Sequence, residues 1–188
     1  YLIHCSNNNI TFNHCSTNGE NGINIYGGDS NNLSISNNIC VANQKNGIWL
    51  SGSYYHGSWC KRSSENILAD NSCTENKLSG IYIFYSINSR IMNNTCNSNN
   101  RDGVHLNDSA NSLLLNNTVS NIMNHGISMY NSINATLTNN SCKYNDNEGG
   151  SIHLSSNILL SENVFKNNRN GLYLESSNNF LIYSNLFI

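Results

Sequence analysis

The side chains with chemistry to offer in this sequence fall into columns. Trp49, Tyr82, His105 and Tyr173 each stand in the middle of a Gly-aliphatic-x-aliphatic segment, a place that Asn24 and Ser128 take in two further copies. Tyr26, Phe84, Tyr130 and Glu175 come two residues later. Repeated once per rung, such rings make a platform for sugars, which turn an apolar face to an aromatic ring and hydroxyls to its polar neighbours. Trp49, Tyr82, His105, Tyr26, Phe84, Tyr130 and Tyr173 are therefore the candidate carbohydrate-binding residues. The competing reading is structural, because aromatic residues cover their neighbours well on any strand.

Acid, base and metal chemistry have less to work with. Asp102 lies at a turn and Asp108 just past a strand, so the sequence assigns no catalytic residue. Lys45, Lys77, Arg101 and Arg169 read as one turn column that suits either an anionic ligand or a solvated edge. His105 and His153 are two repeats apart, about 10 Å at the spacing of stacked strands, too far for one metal. With no CxxC pair or histidine cluster, neither a metal nor a cofactor is expected.

Five of the seven cysteines, Cys15, Cys40, Cys73, Cys96 and Cys142, share a column with Val119, Phe165 and Phe187. A slot filled by Val or Phe is an inward apolar one, where a thiol behaves as a small hydrophobe. Strands stack about 4.8 Å apart, long for the roughly 3.8 Å between the Cβ atoms of a disulfide. Buried free thiols are expected there. Cys5 and Cys60 fall outside the column and carry no assigned state.

These columns imply the elements that hold them. Each unit is about 23 residues long and carries an aliphatic residue three before an asparagine, that asparagine two before the Cys slot, then Gly-aliphatic-x-aliphatic and a closing Ser-x-Asn. Asn94, Cys96, Gly103-Val-His-Leu106 and Ser109-Ala-Asn111 show the pattern in full. The unit contains three short period-2 patches separated by Asn, Gly and Ser, with no helical period. A repeat of that length and content predicts an all-β parallel β-helix of about eight coils with three short strands each. Corner asparagines are expected to stack, amide on amide, along the rod.

The pattern predicts one β-helix domain over residues 1–188, read as a fragment or an uncapped protomer, with one insertion at 53–62. That loop is aromatic and basic, and is either a binding loop or a clip packed on the flank. Between 149 and 154 two registers fit. Without a gap Gly150 takes an inward slot; with a two-residue bulge Ile152-His-Leu154 restores the consensus.

Only 11% of residues are charged and the net charge is −2, which removes the basic stripe that nucleic-acid binding requires. Roughly a fifth of the chain is asparagine and Pro is absent, far from average globular usage. No apolar run approaches the length of a membrane span. Asn-x-Ser/Thr sequons occur at Asn9, Asn32, Asn93, Asn107, Asn116, Asn134 and Asn139, acceptors for glycan if the chain is exported.

The run of Asn-x-Cys/Phe, Gly-Ile-x-Leu and Ser-x-Asn resembles the right-handed parallel β-helix repeats of the NosD-like and pectate-lyase-like superfamily, over nearly all of the chain. Its Asn-rich, Cys-containing form is similar to repeats of archaeal and bacterial surface proteins. The resemblance implies the fold and, for location, the cell surface or exterior. It spans polysaccharide lyases, hydrolases and epimerases, periplasmic copper-maturation proteins and non-catalytic adhesins, so it does not fix function. An enzyme of this superfamily would gather Asp or Glu with Arg or Lys on one face, whereas the acids here look scattered. The leading expectation is a non-enzymatic surface module, a rigid spacer or a self-assembling filament protein stacked end to end or joined to further repeats of a longer chain. The alternative is a carbohydrate-binding or polysaccharide-active domain, with glycans as partners.

Overall fold

A computed structural model of the chain describes residues 1–53 and 61–188. The described residues contain no helix, and 24 of their 26 strands form three eight-stranded sheets in which every in-register partner is parallel and lies one coil away, while Ser63–Ser64 and Ser86–Ile87 pair as a separate two-stranded sheet. The front sheet holds Ile23–Tyr26, Ile48–Ser51, Ile81–Phe84, Val104–Asn107, Ile127–Tyr130, Glu148–His153 and Asn170–Glu175 in that order, behind Leu2–Ile3. The second sheet carries the aliphatic column and the third the cysteine column. Seven residues of the 53–62 insertion, Cys60 among them, lie outside the described residues.

Inward side chains explain the closure. Ile35, Leu68, Ile91, Leu114 and Leu160 from the second sheet meet Ile48, Leu50, Ile81, Ile83 and Leu106 from the front sheet, all fully buried. The third sheet supplies Cys40, Cys73, Cys96, Val119 and Cys142 in successive register, also fully buried. All of these cysteines are free, as are the half-buried Cys15 and Cys5.

Each bend between sheets needs a residue with left-handed backbone angles, and asparagine adopts these most readily after glycine. Asn88, Asn111, Asn134, Asn157 and Asn179 occupy one such corner, with φ between 54° and 57°. At another bend the buried asparagines form a continuous ladder. Asn71, Asn94, Asn117 and Asn140 each pass an Nδ2–H to the Oδ1 of the next, ending at Asn163 and Asn185. A second ladder runs Asn18, Asn43, Asn76, Asn99. It is broken where Ile122 stands and resumes from Asn145 to Asn168.

The register at 149–154 is the gapless one, with Gly150 opposite Ile127 and Ile152 opposite Met129. Packing gives the reason. In that coil the cysteine slot holds Phe165, and a Cβ on Gly150 would come within 3.2 Å of its ring, so the extra volume on one wall is matched by its loss on the other.

Candidate functional site

The outer surface of the front sheet brings two columns of side chains into register. In the first, Asn24, Trp49, Tyr82, His105, Ser128, Ser151 and Tyr173 succeed one another rung by rung. The second contains Tyr26, Ser51, Phe84, Asn107, Tyr130, His153 and Glu175. All seven sequence candidates thus share one face, but they do not make one continuous platform. Tyr26 stacks on Trp49 with centroids 6.1 Å apart, and Tyr82 meets Phe84 at 6.5 Å and the edge of His105 at 4.8 Å. Tyr130 stands on the rung of Ser128, and Tyr173 one rung beyond Ser151, apart from those rings.

Beside Trp49 and Tyr82 the face opens into a groove of about 630 Å³, walled also by Tyr1, Asn21, Asn24 and Asn46. Asn24 is over nine-tenths buried, and no donor among the described residues reaches its Oδ1. An unpaired buried amide oxygen is costly, and a ligand hydroxyl would satisfy it. Lys45 Nζ lies 2.5 Å from Glu20 Oε2 at the rim, so this wall carries a compensated pair and no bare cation. Of the four bases read as one column, Lys77 falls outside it: Leu78, not Lys77, donates its amide to the Lys45 carbonyl and accepts from the Arg101 amide, whereas Lys77 donates to Asn43.

One rung beyond the groove lies the arrangement that sequence reading missed. Asp102, placed by the bend before Gly103, sets its Oδ2 2.9 Å from His105 Nδ1. Its other oxygen accepts from Asn124 Nδ2 at 3.0 Å and from the His125 amide. Asp102 is 1% exposed and His105 8%, and the Arg101 Nε lies 3.6 Å from the carboxylate. A carboxylate accepting the Nδ1 proton leaves Nε2 as the basic nitrogen. Two further pairs follow along the face, His125 with Glu148 at 2.7 Å and His153 with Glu175 at 2.9 Å. The acids that look scattered along the chain are gathered by the coil. The signal was present in the spacing: Glu148 and Glu175 fall about one repeat after His125 and His153.

No group of three or more His, Cys, Asp or Glu among the described residues could hold a metal ion. Among the described residues no helix is long and apolar enough to cross a membrane. Of the sequon asparagines, Asn9, Asn32, Asn93, Asn116, Asn134 and Asn139 are exposed and Asn107 is half-buried.

A family described as right-handed β-helix region matches residues 50–187. No curated protein matches the chain. Among solved structures, a double mutant of the periplasmic alginate epimerase AlgG is 24% identical with a TM-score of 0.81, covering 91% of this chain and 43% of its own. The A-module of the Azotobacter vinelandii mannuronan C-5 epimerase AlgE6 is 15% identical with a TM-score of 0.79, covering 98% and 54%. The Agl-KA catalytic domain is 13% identical with a TM-score of 0.64, covering 95% and 43%. The chain therefore spans about half or less of the length of these structures. They correct the leading expectation of a non-enzymatic spacer or filament module. Structures of this coil geometry include an alginate epimerase and a mannuronan C-5 epimerase.

Proposed function

Because the chain belongs to the right-handed β-helix family, we propose that it is the carbohydrate-active part of a polysaccharide-modifying protein, with a glycan chain laid along the front sheet. The observation that carries this reading is the buried Asp102–His105 pair at the end of an aromatic groove. Trp49 and Tyr82 stack sugar rings, while Asn24 and Asn46 bond hydroxyls. His105 Nε2 takes a proton from the bound sugar, and Asp102 fixes the tautomer and stabilises the imidazolium that results. Arg101, half exposed beside Asp102, supplies positive charge for an acidic sugar.

That combination suits abstraction of the proton next to a uronate carboxyl, the step shared by epimerisation and β-elimination. The structural likeness to an alginate epimerase and a mannuronan C-5 epimerase supports this class. That the first of these is a periplasmic protein supports a location outside the cytoplasm. No cofactor is invoked, and the sequon asparagines remain glycan acceptors only in a compartment that glycosylates.

The test is incubation of the protein with polymannuronate and polygalacturonate in D2O, followed by proton NMR and by absorbance of unsaturated ends. Deuterium at the carbon bearing the carboxyl is expected. His105→Ala should lower its rate by about 10²- to 10⁴-fold, the usual contribution of a positioned base. Trp49→Ala should raise KM with little change in kcat. Exchange that persists undiminished in His105→Ala sinks the assignment.

A further inference from the structure

Two rungs beyond His105, the same face holds a hydroxyl, an imidazole and a carboxylate in the order that nucleophilic catalysis requires. Ser151 and His153 are two apart on one strand, so both side chains point outward, and Ser151 Oγ lies 3.0 Å from His153 Nε2. Glu175, in register with His153 on the next coil, puts Oε2 2.9 Å from His153 Nδ1. The carboxylate accepts a hydrogen bond from Nδ1–H, which leaves Nε2 as the acceptor for the serine hydroxyl. Tyr173 donates its hydroxyl to the same carboxylate at 3.3 Å, and its ring centroid is 5.4 Å from the imidazole. Nucleophile, base and orienting acid are thus all within hydrogen-bond reach, the geometry by which such a triad is recognised regardless of chain order.

We propose that Ser151, His153 and Glu175 form an ester-cleaving site, taking short acyl esters such as those carried on sugar hydroxyls. This activity is separate from the proton abstraction assigned to His105, and its test does not depend on that reading. Ser151 Oγ attacks the acyl carbon while its proton passes to His153 Nε2. The bond from that carbon to the alcohol oxygen then breaks, and the oxygen leaves with the proton as the free alcohol. Water repeats the sequence on the acyl-serine, releasing the carboxylic acid and restoring the hydroxyl. Ser128, in register with Ser151 on the preceding rung, offers a hydroxyl to the carbonyl oxygen. Ser151 is 1% exposed and Tyr173 stands in register with it on the next rung, so the Tyr173 ring is the group that must swing aside to admit the ester.

The experiment uses p-nitrophenyl acetate as substrate and a fluorophosphonate as serine-directed probe, with circular dichroism to confirm that each variant is folded. The probe is expected on Ser151 by peptide mapping. Ser151→Ala and His153→Gln should both abolish labelling and reduce hydrolysis by at least about 100-fold, the second serving if the first misfolds. Tyr173→Ala should accelerate labelling. Glu175→Gln, at a positioning residue, should lower kcat with KM unchanged. Failure of both the wild type and Tyr173→Ala to label or to turn over the acetate overturns the proposal, as does labelling that survives in Ser151→Ala.

Discussion

A buried asparagine in this rod does the work that a backbone strand pair does elsewhere. The Asn117 amide donates to Asn140 Oδ1 and to the Ile91 carbonyl, and its oxygen accepts from both the amide and the side chain of Asn94. Four groups on the two adjoining coils are thereby satisfied where the chain bends. Asn117→Ala strands the buried Asn94 amide, at about 1–3 kcal/mol, and takes from Asn94 Nδ2 one of its two acceptors. Urea denaturation should show a loss of at least about 2 kcal/mol, whereas the same change at the exposed Asn100 should fall within about 0.5 kcal/mol. A small loss at Asn117 would mean that water replaces the ladder. Residues of this kind were legible in the sequence because every repeat needs one at the same place. The Asp102–His105 pair was not, since it joins two residues across a bend whose angle no spacing reveals, and each occurs in only one coil.

At the scale of the strand and its bends, two consequences follow from stacking. The first concerns corners occupied by the wrong residue. Leu154 holds φ at 48° and is half exposed, while the equivalent Asn131 one coil earlier is an asparagine with φ at 47°. A left-handed conformation costs a side chain with a branched or bulky Cβ substituent about 1–2 kcal/mol, so Leu154→Asn should stabilise the rod by about 1 kcal/mol in the same denaturation assay; a destabilised variant would show that Leu154 is held by packing. The second concerns the thiol column. Hydrogen bonding to the Cys40 and Cys96 thiols, and then burial, hold Cys73 well above the ordinary thiol range, and burial raises Cys142. Their folded-state pKa values lie above the unfolded value near 9. Stability from this source is thus complete below pH 9 and declines as the pH rises beyond it, by about 1.4 kcal/mol per pH unit for each such thiol. Urea midpoints at pH 7, 9 and 10 should show a plateau and then a fall that is shallower in Cys73→Ala. The doubled glycine at 149 and 150 shows where strand-level reading ends: two registers were equally good until the bulk of Phe165 across the core selected one.

Considered whole, the molecule separates what folds it from what acts. Each coil contacts only its neighbours, so the core is a sum of near-identical layers and the outward columns are free to differ from rung to rung. This explains why period and core were readable from the sequence alone while function was not: the repeats agree inside and disagree outside. It also makes the spacing of the chemical groups adjustable. Asn107 is in register with Tyr130, so excising residues 108–130 removes one complete turn and joins Asn107 to Asn131 without a shift. The shortened chain should keep the β-sheet circular dichroism of the parent, because Val104 and Leu106 then meet Gly150 and Ile152 much as Ile127 and Met129 do now. The groove at Trp49 lies three rungs from the deleted Ser128, so glycan binding there should survive. His105, however, would come to lie one rung from Ser151, bringing the two proposed reactive groups about 5 Å closer along the rod. The excision also removes Ser128, the hydroxyl offered to the ester carbonyl from the rung before Ser151, so ester cleavage should slow while glycan binding at Trp49 is kept; an unfolded product would refute the layer-by-layer account of the fold.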